Sequence, residues 1–188
     1  MKTVTLYHGT SADNLAAILA GGFDGASGVQ LWNCSGGANY FWDSEKLAES
    51  ESEQDEDAEH KNQSAFNRAK SNSEMGLVRA KDCRRVVFRL EIPVSFYKEH
   101  FTNDNSCRNM SGAVVCAEIV PAKYITEVYQ DEESLGWFRP YFGQYLLNND
   151  LAEQIDLSSA ELAMIKAVQA AACEIMDEID SLEMIRVK

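Results

Sequence analysis

The chain has no strongly basic run. Its formal net charge is −13, and Arg84-Arg85 is the one adjacent basic pair outside mixed sequence. Such a field repels nucleic acid at long range, so a phosphate backbone would have to be gripped by a local basic patch. There is no CxxC pair either. The cysteines Cys34, Cys83, Cys107, Cys116 and Cys173 are odd in number and scattered, which suits a reducing compartment better than a disulfide framework. The histidines are not spaced around those cysteines as zinc ligands, apart from His100 and Cys107, so no metal is expected. No apolar run reaches membrane-spanning length, and the first candidate strand begins at Thr3, which leaves no room for a signal peptide. A cytoplasmic protein without a membrane segment is the expectation, or one delivered into a host cytoplasm. No internal repeat is visible.

What is present is enough for one core. At 188 residues, 45% apolar and 10% aromatic, the chain can bury a single hydrophobic centre and is too short for two ordinary domains. The alternation of Thr3-Val4-Thr5-Leu6-Tyr7 predicts a strand ending at His8-Gly9, where a small residue lets a ligand approach the backbone. Ser11 is a candidate cap for a helix from Ala12, with Leu15, Ile18 and Leu19 on its buried face and Gly21-Gly22 at its end. Phe23 then returns to the core. A short strand is expected over Val29–Trp32 and another over Ala38–Trp42, carrying Tyr40.

Asp43-Ser44 reads as a helix start. The acidic residues from Glu45 to Glu59 read as a solvated loop or fraying helix. Asn62–Ala69 reads as helix and Lys70–Glu74 as a polar linker. Val86–Ile92 is a strand closed by Pro93, Phe96–Ser111 is irregular, and Ala113–Val120 is a strand bracketing Glu118. Tyr124–Tyr129 should pair with that strand after a turn at Pro121. Leu135–Leu147 is aromatic-rich and interrupted by Pro140. Ser158-Ser159-Ala160-Glu161 forms a capping box. From Leu162, apolar residues at Ile165, Val168, Ala172, Ile175, Ile179, Leu182 and Ile185 predict a long amphipathic helix reaching close to the C-terminus. It would pack on the sheet domain or form a dimer or partner interface.

Three separated stretches carry the functional expectation: Tyr7-His8-Gly9-Thr10, Gly36-Gly37-Ala38-Asn39-Tyr40-Phe41 and Ala117-Glu118-Ile119-Val120-Pro121. The first two, joined by a short helix ending in Gly21-Gly22-Phe23, resemble the N-terminal half of diphtheria-toxin-type and poly(ADP-ribose) polymerase-type ADP-ribosyltransferases. The third is similar to the glutamate strand of bacterial members, including the DNA-targeting DarT group. The resemblance spans Leu6 to about Val128. It implies an α+β fold of two small, roughly perpendicular mixed β-sheets around an NAD cleft, with residues 1–130 as the catalytic domain and 131–188 as a helical extension packed on it.

It also implies roles. His8 would anchor a ribose of NAD, Gly9 would offer its backbone to the nicotinamide amide, and Tyr40 would stack on the pyridinium. Thr10 would support the adenosine side, Ser50 is the nearest counterpart of a carboxamide-binding serine, and Glu118 would be the catalytic carboxylate. The chemistry suits these residue types. The nicotinamide leaving group is already cationic, so an oxocarbenium-like transition state needs a carboxylate more than an acid. The activity implied is mono-ADP-ribosyl transfer from NAD to a macromolecule, a protein before a nucleic acid given the acidity, as in a toxin, an effector or a phage-encoded modifier. Phe101, Arg108 and Asn109, just before the glutamate strand, are candidate acceptor contacts.

Two departures narrow this. A second aromatic expected about a dozen residues after Tyr40 is replaced by acidic sequence, which argues against polymer synthesis. The residue two before Glu118 is Cys116 rather than an acid, which argues against arginine as acceptor. Plainer readings are a strand-end hydrogen bond for His8, a core ring for Tyr40, and Glu91 in place of Glu118; Cys116 reads as buried and inert. An acidic, non-catalytic binding protein that mimics nucleic acid is the alternative from another class. An RNA 2′-phosphotransferase would need basic residues that cannot be assembled here.

Overall fold

The computed structural model describes residues 2–25, 38–51, 57–77, 80–104, 112–136, 158–159, 163, 179 and 181–188, the side chains of Ser50, Glu51 and Met75 excepted. Strand β1 (Thr3–Ser11) is followed by a 3₁₀ turn (Ala12–Asn14) and α1 (Leu15–Gly21). Then come β2 (Asn39–Asp43), α2 (Ser44–Glu51) and α3 (Ala58–Leu77). The second half contains β3 (Arg85–Pro93), α4 (Val94–His100), β4 (Phe101–Asn103), β5 (Ala113–Cys116), a 3₁₀ turn (Ala122–Tyr124), β6 (Ile125–Asp131) and β7 (Met184–Arg186).

The strands form a seven-stranded sheet in the order β4-β5-β2-β1-β3-β6-β7, and the pairings are antiparallel where mixed sheets are expected. The sheet is not uniformly knitted. β1 pairs with β3 over nine positions, from Thr3↔Pro93 to Ser11↔Arg85, but with β2 only at Leu6↔Asp43 and Tyr7↔Trp42. From His8 to Ser11, β1 has β3 on one side and no described strand partner on the other. The sheet therefore consists of a β4-β5-β2 half and a β1-β3-β6-β7 half joined at a narrow waist.

Alternation along β1 sorts its side chains onto two faces. Leu6 lies in the larger core with Phe23, Phe41, Phe88, Phe101, Val114 and Val120. Tyr7 lies in a second core with Trp42, Leu47, Ala65, Ala69 and Val87, under α3.

Helix α3 is longer than the sequence reading allows, and it runs straight through the expected linker Lys70–Glu74. Ala65, Ala69, Ser73 and Leu77 recur at four-residue steps and are all buried, the spacing of one helical face. Ser73 can occupy that face because its hydroxyl donates to the Lys70 carbonyl at 2.6 Å, which satisfies it within the helix. Asp57 starts the helix by accepting the His60 amide at 2.9 Å, and Asp43 does the same for α2 through the amides of Glu45 and Lys46.

Several other expectations change. Ser11 ends β1 and makes no side-chain cap, and Leu19 is exposed while Ile18 is buried. The region from Phe96 is α4 followed by β4, ordered by Phe96, Tyr97 and Phe101 packing as a ring cluster. β6 pairs with β3 and β7, not with the Glu118 segment, because β5 is committed on both edges to β2 and β4. The expected last turns of the long helix include β7 instead, with Leu182 and Ile185 exposed. The remainder of that helix, the Leu135–Leu147 segment beyond 136 and the Val29–Trp32 strand lie outside the described residues.

The segment leading into β7 is also tied to the sheet by one buried side chain. Arg85, 0% exposed, donates to both oxygens of Asp131, to Glu74 Oε1 at 2.8 Å and to the carbonyl of Ile179 at 3.1 Å. Asp131 also accepts the Arg85 amide at 2.6 Å. Residues near 180 thus belong to the same body as β3, β6 and α3. No described helix is long and apolar enough to cross a membrane.

Candidate functional site

Three of the candidate segments lie at one end of the sheet, beside the waist. Because β1, β2 and β5 are successive neighbours and alternate in direction, the C-terminal half of β1, the N-terminal end of β2 and the C-terminal end of β5 lie at one end of the sheet. His8 and Thr10 are on the first, Tyr40 is on the second, and Glu118 follows the third.

His8 occupies the parting of β1 and β2. Its Nδ1 lies 2.7 Å from the carbonyl oxygen of Tyr40. A carbonyl can only accept, so Nδ1 carries the hydrogen. Burial pushes the imidazole down to about 4, and the bond to the Tyr40 carbonyl opposes that shift only in part. The ring is therefore neutral at neutral pH, with its lone pair on Nε2. Phe23 and Phe41 pack around it at centroid distances of 4.8 and 5.3 Å. Nε2 has no partner among the described residues, and a neutral imidazole in this tautomer accepts a hydrogen bond from a hydroxyl.

Tyr40 thus meets His8 through its main chain. Alternation from Phe41, which packs in the core beside His8, sends the Tyr40 ring to the opposite side of β2. Thr10 accepts a hydrogen bond from Asn14 Nδ2 at 2.9 Å, which leaves its own hydroxyl hydrogen available to donate.

Gly9 has a different reason to be small. A Cβ there would fall 1.8 Å from the carbonyl oxygen of Ala69 and 3.1 Å from the amide nitrogen of Ser73. The backbone of α3 occupies the space that the sequence reading assigned to a ligand. The glycine sets how closely the helix approaches the strand.

Glu118 lies past the end of β5, in a bend, rather than in the middle of a strand. The bend is pinned by the Cys116 thiol against the Glu118 carbonyl at 3.5 Å and by the Phe23↔Val120 bridge. Asn39, whose register partner is Cys116, donates to the Phe23 carbonyl at 3.1 Å. Glu118 is therefore framed by residues that border His8. Its side chain is 66% exposed, and Oε2 lies 3.0 Å from Nδ1 of His100. Rings connect the two ends of the site: His8 touches Phe41, Phe41 touches Phe101, Phe101 touches Phe96, and Phe96 packs on His100 at 4.3 Å.

Other candidates are placed elsewhere. Glu91 sits near the opposite end of β1, where it accepts from Thr3, Thr5 and Arg89, so it is a satisfied structural acid. Phe101 is buried in the core and has no surface to offer an acceptor. Burial pushes the Cys116 thiol up, which fits an inert packing role. Ser50 is in the last turn of α2, and its side chain, like Arg108 and Asn109, lies outside the described residues. The sequence reading missed Phe23 and Phe41 as walls of the His8 niche, although an aromatic at each position was in plain view. It also missed His100, which carried no local signal because its partner is eighteen residues away. Among the described residues no group of His, Cys, Asp and Glu could hold a metal ion. Comparison with protein-family models, with curated proteins and with solved structures gave no match for this chain.

Proposed function

We propose that the chain is a mono-ADP-ribosyltransferase that takes ADP-ribose from NAD, releases nicotinamide and passes the sugar to a macromolecular acceptor, a protein in preference to nucleic acid. The observation that carries this reading is the state of His8. Its tautomer is fixed by the Tyr40 carbonyl, it is neutral, and its Nε2 is left as an acceptor at the parting of the half-sheets. That is the chemistry needed to hold a ribose hydroxyl. The narrowing of the sheet between β1 and β2 supports the finer reading of two small half-sheets with a dinucleotide between them.

In this reading His8 accepts from a ribose hydroxyl and Thr10 donates to the adenosine side, while Tyr40, whose ring lies on the other side of β2, contributes the carbonyl that fixes the His8 tautomer rather than a stacking ring. The Glu118 carboxylate, exposed at the same end of the sheet, stabilises positive charge developing at the anomeric carbon. The glycosidic C–N bond breaks with its electron pair going to nicotinamide, a nucleophilic atom of the acceptor bonds to the same carbon, and the acceptor's proton leaves to solvent. NAD supplies the activated glycosidic bond when bound; no metal is required by this residue set.

The test is nicotinamide release from NAD by the purified protein and by Glu118→Gln. The amide keeps the shape and removes the charge, so the rate should fall by about 100-fold or more. An unaltered rate in the variant removes Glu118 from the chemistry. Salt-sensitive capture of a basic partner without affinity for NAD would favour the acidic binding protein instead.

A further inference from the structure

Glu118 is exposed and sits in a bend, where its main chain is pinned by Cys116 but its carboxylate stands free of its own segment among the described contacts. Its partner is His100. The ring closes α4 with Nδ1 3.0 Å from Glu118 Oε2 and Nε2 3.7 Å from Glu99 Oε2, and it is much less exposed than either acid. Phe96 backs it at 4.3 Å, and Phe96 is itself held by Phe101 and Tyr124 at 6.3 and 5.4 Å. One partner of this pair is thus packed against core rings while the other stands largely exposed. An exposed ion pair contributes little to stability, but a rigid N–H donor can select one orientation of a flexible carboxylate, and small displacements of a reacting group are costly to rate.

We propose that His100 is a positioning residue for Glu118, holding its carboxylate through Nδ1–H in the orientation that the transfer step uses. The proposal rests on the reading of Glu118 given above. The donor is present whether the ring is neutral with hydrogen on Nδ1 or charged, so it is the N–H at that atom, not the ring's charge, that does the positioning. Asparagine offers an N–H on an atom bonded to Cγ, as Nδ1 is. Glutamine places its amide one bond farther out.

The experiment is steady-state nicotinamide release by the full chain with His100→Leu, His100→Asn and His100→Gln, each also combined with Glu118→Gln. Thermal melting is recorded for every variant. His100→Leu is expected to lower kcat by about tenfold or more with KM for NAD unchanged, His100→Asn to recover most of that loss, and His100→Gln to recover little. In the Glu118→Gln background none of the three should lower the rate further. Should His100→Leu melt below the assay temperature, the Asn and Gln pair decides. An unchanged kcat in His100→Leu, equal losses in the Asn and Gln variants, or a further loss in the Glu118→Gln background each overturns the positioning role and leaves the transferase reading standing. Absence of nicotinamide release by the unaltered protein overturns that reading, and the role of His100 with it.

Discussion

The main-chain carbonyl of Tyr40 accepts the Nδ1 hydrogen of His8 across 2.7 Å, just past the point where β1 stops pairing with β2. The bond joins the two half-sheets beyond their last shared register pair, Tyr7↔Trp42. It also decides the tautomer of a ring that burial keeps uncharged. A single contact therefore links the architecture to the chemistry proposed for it.

His8 should make the fold acid-sensitive. Its folded value, about 4, lies below the ordinary 6.5 of histidine, so between these pH values the unfolded chain binds a proton that the folded chain refuses. The stabilisation is complete above pH 6.5 and is lost as pH falls towards 4, by about 3 kcal/mol across the window. Urea unfolding of the parent and of His8→Gln at pH 7 and pH 4.5 should show a shallower fall in the variant. Parallel slopes would mean that the imidazole titrates normally in the folded state.

Gly9 and Gly21 should respond oppositely to alanine. At Gly9 the added carbon meets the carbonyl of Ala69 on α3 at 1.8 Å, backbone against backbone, and neither element can yield without breaking its own ladder. Gly9→Ala should cost about 3 kcal/mol or more, above the usual range for overpacking. Gly21 ends α1 with nothing within 4 Å of a new Cβ, so Gly21→Ala should be neutral or stabilising by about 0.5 kcal/mol. Denaturant midpoints of the two variants check both.

The local pattern revealed some of this and concealed the rest. β1, β2 and β3 were legible because alternation and β-branched content mark strands wherever they pair. Pairing was not. β6 follows the Glu118 segment in sequence but lies against β3, and no residue within Tyr124–Tyr129 encodes which neighbour it takes. The interior of α3 was hidden because Ser71, Asn72 and Ser73 are turn formers by composition, while the face they serve is set by Ala65, Ala69 and the glycine opposite. His100 was invisible for the same reason. Its partner is supplied by topology.

Arg85 should be intolerant of losing either acid. Removing one partner from a buried, multiply bonded ion network leaves an uncompensated charge, at about 3–5 kcal/mol. Asp131→Ala strips the guanidinium of its bidentate partner and also deprives the Arg85 amide of its acceptor. Its unfolding midpoint in urea should drop accordingly, and residues near 180 should become the first sites of limited proteolysis, since Ile179 is held through the same guanidinium. A midpoint within about 1 kcal/mol of the parent, the scale of an exposed ion pair, would show that the network is not closed to water.

The central claim is that NAD reaches the imidazole at the waist of the sheet, and the most direct measurement is a titration of the ¹⁵N-histidine-labelled protein with NAD at pH 7, followed by NMR of the ring nitrogens. The account predicts that the Nε2 resonance of His8, assigned by its loss in His8→Gln, shifts saturably as it accepts a ribose hydroxyl, while Nδ1 stays protonated against Tyr40. An Nε2 signal that does not move at saturating NAD, or one that shows the hydrogen on Nε2 from the start, would contradict it.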